Sequence, residues 1–240
     1  MTDRGAAAPL HVGPGSGHRG LLVWDLDGSR QAISSASVGG GLRRVRWVLA
    51  VGVDKGYART DLTAHVAEIV AGLGLAGEED AVCALFTAAD VAQVATSESG
   101  GGRAWATVGV TRPTWPVREA ARAGSFTPPT PGTVNLVVSL PVVLSPSALV
   151  QAVGTATETK AQVLVQAGVP GTGTASDALV VLCPVVDEGD GDPACDGPVE
   201  FAGVRSPWGT HLARAVHGAV VAGLAAHPWP PDDVDPAVVW

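Results

Sequence analysis

Apolar runs broken by turn signals divide this chain into short strands and three amphipathic helices, with no repeat and no long polar linker between them. Two short runs, 21–24 and 31–33, flank Asp27-Gly28, a dipeptide that predicts a hairpin turn. Residues 46–53, 81–86, 104–110, 132–140 and 178–186 read as further strands, rich in Val, Leu and Ala. Residues 60–72 read as a helix with Leu62, Val66, Ile69 and Val70 on one face, capped by Thr60 or Asp61. Thr87-Ala88-Ala89-Asp90 matches a capping pattern ahead of a short helix through Val94, and 97–102 reads as a loop. The clearest element is a helix over 145–168. Ser145 stands at its N-cap, Pro146 at the first helical position and Gly168 just past the end, with Pro170 forbidding continuation. Ser206-Pro207 repeats the device and opens a last helix to about residue 225.

Helices and strands alternate irregularly, so the expected fold is α+β, a mixed α/β sandwich. Its sheet is expected to be largely mixed or antiparallel, packed by helices in a single domain. The ordered domain is expected over 20–227, between a disordered tail at 1–19 that holds His11 and His18 and a loose tail at 228–240. Residues 34–41, Ser and Gly rich, read as a flexible loop; 113–131 and the acidic stretch 187–200 read as irregular connections.

Two residues break the apolar pattern. Asn135, the sole asparagine, interrupts the β-branched run 132–140. Lys160, one of two lysines, falls mid-stripe on the long helix, whose Leu149, Ala152, Val153, Ala156, Lys160, Val163, Leu164 and Ala167 span about 120°. A buried amide or ammonium is costly unless paired, so each calls for a partner or a ligand. Lys160 can also snorkel to water, and Asn135 can bond a neighbouring loop. Glu158 points about 160° away from Lys160, which excludes a same-face pair and leaves either solvent exposure or a general acid–base role. Gly171-Thr172-Gly173-Thr174 precedes a strand and lacks the P-loop lysine; its backbone N–H groups suit a carbonyl or carboxylate oxygen, or make a plain turn. Asp177 enters an apolar strand and needs pairing.

Net charge of −8 and pI near 5.1 argue against a nucleic-acid partner or an anionic membrane surface. Cys83, Cys183 and Cys195 stand far apart, no leader or membrane-length run is present, and a cytoplasmic location is expected. His65 is isolated, His211 and His217 lie too far round their helix to share a metal, and no serine-hydrolase elbow or zincin motif occurs.

Ser34-Ser35-Ala36 with Gly39-Gly40-Gly41-Leu42, Thr87-Ala88-Ala89-Asp90-Val91, Ala106-Thr107-Val108-Gly109-Val110, Pro131-Gly132-Thr133-Val134-Asn135, Ala156-Thr157-Glu158-Thr159-Lys160 and Gly173-Thr174-Ala175-x-Asp177 form a colinear set. In that order they resemble the adenosylcobinamide amidohydrolases, the CbiZ family, across roughly 21–223. Val204 and Arg205 depart from the small polar residues expected there. The resemblance implies cleavage of the amide joining the corrinoid side chain to aminopropanol, giving adenosylcobyric acid and 1-amino-2-propanol. It implies a corrinoid small-molecule partner and no cofactor or metal of the protein's own, since the cobalt arrives with the substrate. Applied to it, amide hydrolysis assigns Glu158 to water activation, Lys160 and Asn135 to the carbonyl, and Asp177 with Thr174 to positioning. Ser34, Ser35, Gly40, Gly41, Thr172, Gly173 and Thr174 are the expected substrate-binding residues. An alternative makes Thr133 or Thr174 a nucleophile with Lys160 as base. A non-catalytic corrinoid binder and an amidase acting on another large amide are the rival functions.

Overall fold

A computed structural model of the chain describes residues 6–117, 132–185 and 197–230. Cys195, 118–131, most of the acidic stretch and 231–240 therefore lie outside the described residues. The strands are β1 (Leu10–Val12), β2 (Gly20–Ser34), β3 (Gly41–Gly52), β4 (Val82–Thr87), β5 (Ala95–Ser99), β6 (Gly102–Gly109), β7 (Thr133–Ser139) and β8 (Ala178–Pro184). The helices are α1 (Leu62–Gly72), α2 (Pro146–Gln166) and α3 (Pro207–Ala226).

One mixed sheet runs β4-β3-β2-β8-β7-β6-β5, with β1 added beside β2. Two pairs are parallel, β3 with β4 and β7 with β8, and each is joined through a helix, α1 or α2. That is the connection a parallel pair requires. The remaining pairs are antiparallel.

The sheet doubles over to form a sandwich. Leu22, Trp24, Val48, Ala50 and Leu85 from its β2–β3–β4 part meet Trp105, Val137, Val180 and Leu182 from the rest. Trp24 and Trp105 touch edge to face, with ring centroids 5.9 Å apart. The alternate residues Leu21, Val23, Leu49 and Val51 pack outward on Val66, Ile69 and Val70 of α1. On the opposite outer face Ala104, Ala106, Leu136, Val138 and Val181 pack under α2 and α3. With both faces covered, every residue of β7 is buried, which is why its sequence is an apolar run without alternation.

Helix ends follow the local chemistry. The Ser145 hydroxyl accepts from the Ala148 N–H, and the Ser206 hydroxyl accepts from the Gly209 N–H, each with proline following. Ser145→Ala is expected to cost about 1 kcal/mol, the usual worth of such a cap, measured by denaturant unfolding.

Several expectations are corrected. Asp27-Gly28 does not reverse the chain; β2 runs straight through, and its pairing with β3 shifts register between Asp25 and Arg30. Asp27 and Gly28 take the positive φ that a hairpin would also use, and the Asp25 carboxylate accepts from the Asp27 N–H, so the same residues form a bulge. The 97–102 loop is largely strand, because β5 and β6 form the hairpin there. Thr87 closes β4, and Asp90 caps a short 3-10 turn at 91–93 instead. The tail ahead of residue 20 is not disordered throughout: β1 pairs with β2, and Ala6 is buried with its N–H donating to Ser139. Trp229, assigned to the loose C-terminal tail, packs against the helical core. Nor is 34–41 a floppy loop. The Ser34 hydroxyl donates to the Leu179 carbonyl, Ser35 Oγ accepts from the Leu179 N–H, and Ala84 N–H donates to the Val38 carbonyl.

Candidate active site

α2 brings Lys160 inward at the point where β8 begins. Lys160 Nζ pairs with Asp177 Oδ2, and the two side chains are only 10% and 12% exposed. Asp177 also accepts from the Val134 N–H (2.8 Å), the Thr174 N–H (3.1 Å) and the Thr174 hydroxyl (2.6 Å). Four donors thus fix this carboxylate, and the carboxylate fixes the ammonium. The stripe residue that the pattern flagged does not snorkel to water; it finds a buried counter-ion.

Gly173 makes the approach possible. A Cβ there would overlap Asp177 Oδ2 and lie 2.6 Å from Lys160 Nζ, so any side chain would push the pair out of place. Around the pair stand further hydroxyls. Thr133 Oγ1 lies 2.8 Å from Ser176 Oγ, and both Ser176 and Thr174 hydroxyls reach the Gly132 carbonyl, at 2.9 and 2.7 Å.

The neighbouring candidates follow along β8. The Ala178 N–H donates to Asn135 Oδ1 at 3.2 Å, and Asn135 Nδ2 donates to the Phe86 carbonyl of β4 at 2.9 Å. Asn135 therefore ties the two parts of the sandwich together, with backbone partners on both ends of its amide. Ser34 and Ser35 bond Leu179, one residue further on. Gly40 sits where a Cβ would collide with the Ala36 carbonyl, and Gly41 has φ +85°, so both are required by the tight return from β2 to β3.

Two assignments change. Glu158 is exposed, on the side of α2 turned away from Lys160, so it does not join this cluster and is not placed to activate water there. The Gly-Thr-Gly-Thr turn is not an open anion cradle either. Gly171 N–H donates to the Val169 carbonyl, Thr172 N–H to Thr114, and Thr174 N–H to Asp177, while Thr114 N–H takes the Gly173 carbonyl. Sequence reasoning missed Ser176 and Thr114; both lie in irregular segments that only the β7–β8 register and the Thr114–Gly173 bridge bring to the site. It also left His65 isolated, although His65 contacts Tyr57 and Phe86. Cys83 and Cys183 are buried, which pushes both thiols above the usual range and leaves them unreactive. Among the described residues no helix is long and apolar enough to cross a membrane.

An ammonium is thus held beside a carboxylate, ringed by hydroxyls and set into an apolar wall, and the chain that carries it is a hydrolase of carbon–nitrogen amide bonds. It belongs to the adenosylcobinamide amidohydrolase family, CbiZ, whose model matches residues 10–229. No curated protein matches it in sequence. Among solved structures it is similar to the PH0078 protein from Pyrococcus horikoshii OT3, with TM-score 0.43 and 11% identity over 92% of this chain and 84% of that one. A beta-aminopeptidase from Burkholderia sp. gives TM-score 0.39 and 15% identity over 92% and 84%. An L-aminopeptidase D-Ala-esterase/amidase from Ochrobactrum anthropi, described as a variant of the Ntn hydrolase fold, gives 0.36 and 14% over 94% and 85%. These scores and identities are too low to bear on the chemistry of this chain.

Proposed function

We propose that this enzyme hydrolyses the aminopropanol amide of adenosylcobinamide, consuming one water and releasing adenosylcobyric acid and 1-amino-2-propanol. The family match supports the substrate, and the buried Lys160–Asp177 pair is the observation that carries the chemistry. The substrate carbonyl oxygen meets the Lys160 ammonium, which Asp177 holds in one orientation. As water attacks, charge gathers on that oxygen and Lys160 stabilises it. Collapse of the tetrahedral intermediate breaks the carbon–nitrogen bond and expels the amine, which takes up the proton given up by the attacking water.

The Thr174 hydroxyl, 2.6 Å from Asp177 Oδ1, favours a second route in which Thr174 attacks first and water then releases the acyl group. A mass increase on the Thr174 peptide during turnover marks that route; its absence under rapid quench leaves direct attack by water.

The test is incubation with adenosylcobinamide followed by chromatography for the corrinoid acid. Glu158→Gln is expected to keep turnover within a few-fold, because Glu158 stands in solvent away from the pair. A fall of about 100-fold, the size of a lost general base, would return Glu158 to the mechanism. Binding of the corrinoid without any acid product would identify a non-catalytic binder instead.

A further inference from the structure

Thr133 opens β7 next to the Lys160–Asp177 pair, and the peptide bond ahead of it lies among side-chain hydroxyls. The Gly132 carbonyl oxygen is met by Ser176 Oγ at 2.9 Å and by Thr174 Oγ1 at 2.7 Å. A hydroxyl carries a single proton. Ser176 gives its proton to this carbonyl, so in its 2.8 Å contact with Thr133 it accepts and Thr133 donates. The bonds therefore run from the Thr133 hydroxyl to Ser176 and from Ser176 to the carbonyl one residue before Thr133. Thr174 stands between that oxygen and Asp177 Oδ1, 2.6 Å away, and its proton can turn to the carbonyl as charge gathers there.

The acyl side is held as firmly. A Cβ on Gly132 would come within 2.6 Å of the Gly109 carbonyl oxygen and 2.7 Å of the Thr111 nitrogen, so neighbouring backbone packs flat against this residue. Gly132 and Thr133 are both buried. A hydroxyl and a carbonyl fixed side by side react as one molecule, which removes much of the entropic barrier to attack.

We propose that the chain cuts itself between Gly132 and Thr133. Thr133 Oγ1 bonds to the Gly132 carbonyl carbon, its proton passes to Ser176, and the Ser176 proton goes to the carbonyl oxygen. The carbon–nitrogen bond then breaks and that oxygen yields its proton to the Thr133 nitrogen, leaving an ester between Gly132 and Thr133 Oγ1. One water hydrolyses the ester, giving a Gly132 carboxylate, restoring the Thr133 hydroxyl and leaving a free Thr133 α-amine. The new amine stands one residue from Val134, whose N–H Asp177 accepts at 2.8 Å. An α-amine ordinarily loses its proton not far above neutral pH, so it supplies the base that substrate hydrolysis lacks once Glu158 is set aside. It takes the proton of whichever hydroxyl attacks, water's or its own. That second role rests on the amide hydrolysis read above; the cut does not.

The experiment follows the mass of the purified full chain without corrinoid. Fragments 1–132 and 133–240 are expected, the second with Thr133 at its amino end. Thr133→Ala should stay whole and lose turnover, while Thr133→Ser, which keeps a hydroxyl, should still be cut. Ser176→Ala should slow the cut by about 100-fold, the size of a lost proton-transfer partner. Hydroxylamine added to that slow variant should capture the ester and leave a hydroxamate on Gly132, whereas a contaminating protease leaves a carboxylate. This readout stands even where Thr133→Ala fails to fold. A wild-type chain that stays whole, a Thr133→Ala chain cut at the same bond, or a Ser176→Ala chain cut as fast as the wild type overturns the proposal. If the chain is cut yet adenosylcobinamide is left intact, the substrate reading fails and the self-cleavage stands.

Discussion

Lys160→Met is expected to be the most damaging single change, lowering turnover by about 100- to 1,000-fold, the cost of losing one oxyanion donor. Stability should fall with it, by about 3–5 kcal/mol, because Asp177 is left charged and buried without its counter-ion. Both partners are nearly enclosed, so solvent offers little screening. The double variant Lys160→Met/Asp177→Asn separates the two effects. With the charge gone, an asparagine at 177 whose oxygen takes the place of Oδ1 can still accept from the Val134 N–H and the Thr174 hydroxyl, though not from the Thr174 N–H on the other side, so part of the stability should return while activity stays lost. Denaturant melts and product chromatography on the same preparations read both quantities. Wild-type turnover in the single variant would remove the lysine from the chemistry.

Asn135→Leu should act in the opposite sense, through the fold. The shape is nearly conserved, but the Phe86 carbonyl and the Ala178 N–H lose their partners inside the sandwich. Each buried unsatisfied group costs about 1–3 kcal/mol, giving an expected loss of about 2–6 kcal/mol in guanidinium unfolding. Turnover per folded molecule should change far less than in Lys160→Met. A variant of wild-type stability and greatly reduced kcat would make Asn135 a carbonyl donor after all.

What the sequence disclosed depends on how local each signal is. α2 was legible at both ends because Ser145-Pro146 and Gly168 are cap chemistry that any helix of this length needs. β7 and β8 were legible because strands covered on both faces become continuous apolar runs. β1 and β5 were not: they are short and largely exposed, and nothing in their own composition selects pairing over a loop. Asp27-Gly28 was read as a hairpin turn; its positive φ suits a turn and a bulge alike, and only the neighbouring strands decide between them. Within the site, Lys160 and Asp177 were each flagged by the cost of burial. Their union was not, because it depends on how the 171–177 turn returns across α2.

β2 has a consequence for how this enzyme admits a bulky guest. The strand is shared by both leaves of the sandwich, bonded to β3 on either side of its bulge and to β8 at its far end. Sliding or parting the leaves would mean rupturing backbone bonds of that common spine, a cost that side-chain rearrangement does not carry.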